Sequence, residues 1–192
     1  PVLTGSVSAW FTRLGADPEA VAWARAHGRD WERAWAECPR GDWLLMVAAR
    51  MKSDPAAIVR AASACARLAL PYLPNDEERD AAELSLTQAE DWASRRGSTA
   101  TLDALAVELD AKARVAPDQA AASALGAAGA ALRSASHPDA APAAAVLAIE
   151  AAVLATGECA AASALGFMQH KTADAVRTHI ARQLVKGPPG SK

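Results

Sequence analysis

The chain has 192 residues, 52% hydrophobic and 22% charged, with a formal net charge of −2 and a mean hydropathy of +0.01. These values exclude a disordered chain and a bundle of membrane spans, and they lack the basic footprint of a duplex-binding protein. Alanine, the best helix former, occurs 52 times, tyrosine once and phenylalanine twice, and no run alternates Val, Ile and Thr. The predicted class is therefore all-α.

Helix signals recur about every twenty residues. Asp17-Pro18-Glu19 supplies an N-cap, a first-turn proline and a first-turn acid for a helix running to His27-Gly28. Asp30 opens a short helix through Trp31 and Trp35, stopped by Pro39 and Gly41, and Asp42 is read as the cap of the next. Asp54-Pro55 opens a helix whose inward stripe is Ile58, Ala61, Ala62, Cys65, Leu68, Ala69 and Tyr72, ended by Pro71 and Pro74. From Asp76 the spacing predicts a helix that turns Ala81, Leu84, Ala89 and Trp92 inward and ends at Gly97.

Ser98 or Thr99 caps a helix holding Leu102, Leu105 and Leu109, and Pro117-Asp118 opens an alanine-rich one to about Ser136. Another covers roughly 141 to 155, and the last runs from about Glu158 to Val185. The tail 187-GPPGSK-192 reads as disordered. About ten helices on short turns predict one domain over residues 1–186, a compact antiparallel stack of helical hairpins. All six tryptophans fall at or before Trp92, and 31 of the 52 alanines lie from Ala100 onward. The second half is thus expected to be the smoother, tighter part.

AASALG occurs at 121–126 and again at 161–166. One shared hexapeptide in an alanine-biased chain reads as coincidence rather than as a solenoid period. The longest chargeless apolar runs are too short to span a bilayer, and 141-APAAAVLAIEAAVLAT-156, which comes closest, carries Glu150 and is mostly alanine.

The stretch 31-WERAWAECPRGDWLL-45 holds three tryptophans around a Pro-Arg-Gly turn. Trp31 and Trp35 share a helix face, so the expectation is a packed corner between helices rather than a ligand cleft. Arg40-Gly41-Asp42 as an adhesion loop would need an extracellular protein, and no basic-then-apolar leader opens the chain. Three widely spaced cysteines suit reduced thiols in a cytoplasm. Cys65 is expected to be inert on its inward face; Cys38, at a helix C-terminus whose dipole disfavours thiolate, reads as structural, yet it and Cys159 lie close to helix ends and are expected to label faster than Cys65.

His27, His137, His170 and His179 show no metal-ligand spacing, and no Glu-x-x-His pair exists. His179 continues the stripe Leu165, Met168, Thr172, Val176 and reads as a half-buried histidine. Glu150, the only charge between Asp139 and Glu158, reads as a surface carboxylate, with a buried one as the alternative. No glycine-rich phosphate loop, nucleophile elbow or triad spacing is visible. The expectation is no catalytic residue, no metal, no cofactor and no enzyme.

The sharpest charge feature is 76-DEERDAAELSLTQAEDW-92, with seven acids against Arg79. Acids near a helix N-terminus are favoured by its dipole, and a solvated face accounts for many such runs. Glu83, Glu90 and Asp91 lie beyond the first turn, which points to a basic partner for the set Asp76, Glu77, Glu78, Asp80, Glu83, Glu90 and Asp91. Reversing Glu83 and Glu90 to lysine is expected on this reading to slow association and leave the fold intact.

Three motifs in 31–92 occur together: Cys-Pro-Arg-Gly-Asp-Trp-Leu-Leu at 38–45, Ile-Val-Arg-Ala-Ala-Ser-Ala-Cys-Ala-Arg-Leu-Ala-Leu-Pro-Tyr-Leu-Pro at 58–74, and the acidic helix ending in Glu-Asp-Trp-Ala at 90–93. In this the chain resembles a family of all-α immunity proteins encoded beside bacterial polymorphic toxins. The resemblance implies a cytoplasmic protein that binds and occludes a cognate toxin, with no catalytic residue to carry over. The expected partner is a basic protein toxin, with no nucleic acid and no membrane, and with pairing to a second copy left open. A helical scaffold for another protein, or an enzyme with an unrecognised site, is the alternative.

Overall fold

The computed structural model describes residues 5–95 and 97–181, and the expected disordered tail 187–192 lies outside them. The described residues form ten α-helices and no strand, a compact all-α fold. These are α1 (Val7–Arg13), α2 (Pro18–Arg25), α3 (Trp31–Glu37), α4 (Gly41–Arg50) and α5 (Pro55–Arg67), then α6 (Asp76–Arg95), α7 (Ala100–Arg114), α8 (Gln119–Arg133), α9 (Ala141–Thr156) and α10 (Ala161–His179). Short 3₁₀ turns at Leu70–Tyr72 and Pro138–Ala140 complete the path.

Capping chemistry sets most of these starts. The carboxylates of Asp17, Asp30, Asp54 and Asp118 each accept a backbone N–H from the first turn they precede. Asn75 does the same for α6 by accepting from the Glu78 N–H at 2.8 Å. Asp42 does not cap α4, which begins at Gly41 with Arg40 in the cap position. Asp42 lies buried in the first turn, where its two oxygens receive both arms of the Arg40 guanidinium. The last helix ends at His179 rather than near Val185, because Ile180 adopts extended backbone.

Helix α5 is the centre of the stack. It packs against α4, α6, α8, α9 and α10. Ala56, Ala57, Ala61, Ala62, Cys65 and Ala66 are all buried along it, and such short side chains let five neighbours approach closely. One continuous apolar cluster runs from Val7 to Ile180. The two AASALG segments sit in opposite environments. Leu125 of the first is 2% exposed and Leu165 of the second 42%, so the shared hexapeptide marks no structural repeat.

Residues 138–156 form a 19-residue helical stretch that meets the length and composition of a membrane span. In this fold α9 packs against α4, α5, α8 and α10, with Ala141, Ala144, Ala145, Ala148 and Ala151 fully buried. Glu150 on this helix is half-buried, between the two readings its sequence left open.

The chain closes on itself through α10. Arg177 donates to the carbonyl oxygens of Cys38 at 2.8 Å and Trp35 at 3.4 Å. It thereby satisfies acceptors at the C-terminus of α3. A few residues away, a Cβ on Gly41 would lie 2.6–2.8 Å from the backbone and Cβ of Thr172. The start of α4 therefore abuts the backbone of α10.

Candidate functional site

The tryptophan-rich stretch is a packed corner. Trp31, Trp35 and Trp43 are all buried. Trp43 stacks obliquely on Trp23 with ring centroids 5.8 Å apart, and its Nε1 donates to Asp17 Oδ2 at 3.1 Å. The Arg40 guanidinium lies over its ring at 4.7 Å. Trp31 meets Trp10 edge-on at 5.1 Å and Phe11 at 6.2 Å. Helix α1, which supplies both partners, is capped by Ser6, whose Oγ accepts the Ala9 N–H at 3.3 Å, and lies outside the helices expected from the sequence. Gly41 and Asp42 are both buried, so this Arg-Gly-Asp triplet presents no loop to a receptor.

The thiols correct one expectation. Cys38 is 1% exposed and donates its S–H to the Arg40 carbonyl at 3.4 Å. Burial pushes its pKa up to about 12, and burial raises that of Cys65 as well. Proximity to a helix end does not make Cys38 accessible, because α10 covers that end. Cys159 is exposed. A thiol reagent at neutral pH is expected to modify Cys159 rapidly and to leave Cys38 and Cys65 unmodified until the protein is unfolded. Fast modification of Cys38 in the native state would contradict the closure by α10.

Helix α6 carries the acidic run, and the structure divides it between two faces. The inward face is Ala82, Ser85, Leu86, Ala89 and Ala93, one position on from the predicted register. Leu84, expected to point inward, is 61% exposed. Leu86 is fully buried, and Leu84, two residues earlier, lies about 160° round the axis from it, so burying one exposes the other.

Glu83 and Glu90 turn toward α5 and share one arginine. The Nε of Arg67 donates to both Glu83 oxygens, at 2.8 and 3.1 Å, and its two terminal nitrogens grip Glu90 from the other side. The base that their sequence position calls for is thus supplied by the chain itself. Asp76 pairs with Arg79, and Asp91 lies 3.6 Å from Arg95. His179 belongs to the same neighbourhood: burial lowers its pKa, Glu90 pulls the other way, and Arg60 and Arg67 add to the lowering.

This arrangement changes the expected result of charge reversal. Lysines at 83 and 90 would face Arg67 in a half-buried setting, so the double variant Glu83→Lys, Glu90→Lys is expected to lose about 1–2 kcal/mol after solvent screening. A chain of this length then melts several degrees lower, by roughly 2–4 °C per kcal/mol. The pair Glu77→Lys, Asp80→Lys on the exposed side is expected to move the melting temperature hardly at all. Equal melting temperatures for the two double variants would remove the Arg67 clamp as a structural element.

The remaining outward face of α6 is Glu77, Asp80, Leu84, Gln88 and Asp91, spaced three and four residues apart. Glu77, Asp80, Leu84 and Asp91 are exposed. At its C-terminal end this face borders a cavity of 280 Å³ in the turn between α6 and α7. Trp92 and Leu102 give it apolar walls, and Gln88, Asp91, Arg95 and Thr101 form its rim. The Trp92 indole is held there by a 2.9 Å hydrogen bond from Nε1 to the Gly97 carbonyl. Among the described residues, no group of three His, Cys, Asp or Glu side chains could hold a metal ion.

No protein-family model, curated protein or solved structure matches the chain significantly.

Proposed function

We propose that this chain is a cytoplasmic binding protein that neutralises a cognate bacterial toxin by occluding it. The observation that carries the reading is the outward face of α6. It sets Glu77 and Asp80, acids that form no ion pair among the described residues, beside an exposed leucine. Acids ringing an apolar side chain suit a basic protein surface: the apolar contact contributes affinity, and the charges steer association. The motifs in residues 31–92, with their resemblance to immunity proteins, support the same reading from the sequence.

The test starts with the intact chain immobilised and exposed to a lysate of its native cell at low salt. The expected catch is a basic protein domain that is toxic when expressed alone and harmless when this chain is co-expressed. Glu77→Lys with Asp80→Lys is expected to slow its association about tenfold at low ionic strength and to flatten the salt dependence. A captured partner with no toxicity would favour a scaffold and sink the immunity reading. A toxin whose activity persists in the complex would sink occlusion.

A further inference from the structure

The α6–α7 cavity and Leu84 form two apolar stations on one helix face, and each is flanked by charge. Leu84 and Trp92 are eight residues apart, or about 12 Å along the axis. That is close to two helical turns, the spacing at which a second helix presents successive apolar side chains on one side. The charges between and beyond these stations are not uniform. Glu77 and Asp80 lie before Leu84, and beside the cavity Asp91 is balanced by Arg95 at 3.6 Å. Among the described residues, the face is therefore acidic at its N-terminal end and balanced at the cavity.

We infer that this face docks one amphipathic helix of a protein partner. One large apolar side chain of that helix enters the cavity between Trp92 and Leu102, a second rests on Leu84, and lysines or arginines at its far end meet Glu77 and Asp80. The charge gradient sets which end of the incoming helix lies where. The inference rests on the proposed function, because it takes α6 as the partner surface and adds the shape and polarity of what binds there. The cavity offers an anchor for one side chain: Trp92 and Leu102 line it, the indole donates to the Gly97 carbonyl, and Leu102 is buried in α7.

The probe is an 18-residue peptide of leucine and lysine, with leucines spaced three and four apart, titrated against the full chain by calorimetry. Its control has glutamate in place of lysine. Two variants test the stations: Leu84→Asp removes one, and Thr101→Trp fills the cavity from its rim. Both positions are exposed, so folding is checked simply by an unchanged melting temperature. The expected result is binding of the basic peptide that weakens about tenfold in each variant, a loss of about 1.4 kcal/mol, with no binding of the acidic control. Equal binding to wild type and both variants would reduce the interaction to diffuse charge attraction and overturn the inference. Failure of the basic peptide to bind the wild type would overturn it as well. A toxin captured by the intact chain that binds both variants unchanged would leave the proposed function standing and remove only this docking mode.

Discussion

Trp43→Ala is expected to cost about 3–5 kcal/mol, the range for truncating a buried aromatic side chain. The indole is 3% exposed and joins three parts of the N-terminal half. Its ring contacts Trp23 of α2, its Nε1–H satisfies the carboxylate that also caps α2, and its face carries the Arg40 guanidinium. Truncation leaves a cavity, frees one oxygen of Asp17 and removes the surface on which Arg40 rests. A fall in melting temperature on the order of 10 °C follows for a chain of this size. Circular dichroism during heating measures it. A variant that melts with the wild type but loses its partner would show that Trp43 belongs to a recognition surface and not to the corner.

The second large effect comes from glycine-to-alanine substitutions of opposite sign. At Gly41 the added methyl would meet the backbone of Thr172 at 2.6–2.8 Å, and backbone cannot swing aside as a flexible side chain can. The expected cost is about 3 kcal/mol, the upper part of the range for overpacking. At Gly166, inside α10, a Cβ meets nothing within 4 Å. Alanine there restricts the unfolded chain and suits the helix, so a gain of about 0.5–1 kcal/mol is expected. Urea titration of both variants reads the two signs directly. A Gly41→Ala protein as stable as the wild type would mean that α4 and α10 do not meet at this point.

Capping residues and periodicity made the helices legible. Asp17, Asp30, Asp54 and Asp118 act as caps where the sequence placed them, because an Asx cap is a local signal read within three residues. Asp42 looked the same locally and behaves differently, because Arg40 two residues away captures both of its oxygens. The inward side of α6 was misread because an alanine-rich helix gives a weak periodic signal: Leu84 and Leu86 compete for the core, and only tertiary packing decides between them. The acidic character of the candidate surface was legible. Its division was not, since Arg67, which pairs with Glu83 and Glu90, lies sixteen and twenty-three residues away. The expectation that Cys38 labels fast fails for the same reason, since Arg177, which bonds its carbonyl, comes 139 residues later in the chain.

The clamp of Arg177 on the carbonyls of Trp35 and Cys38 bridges sequence separations of 142 and 139 residues. On a ribosome, the first helices emerge long before the residue that closes them. Until α10 is made, the carbonyls of Trp35 and Cys38 lack this donor and Gly41 lacks its contact with Thr172. Native contacts of such high order are costly to form early, so topology places this closure among the last steps of folding. The nascent chain therefore carries a tryptophan-rich half whose lid is still being translated. Complete burial of the α3–α4 corner must wait for nearly the whole described chain to be synthesised.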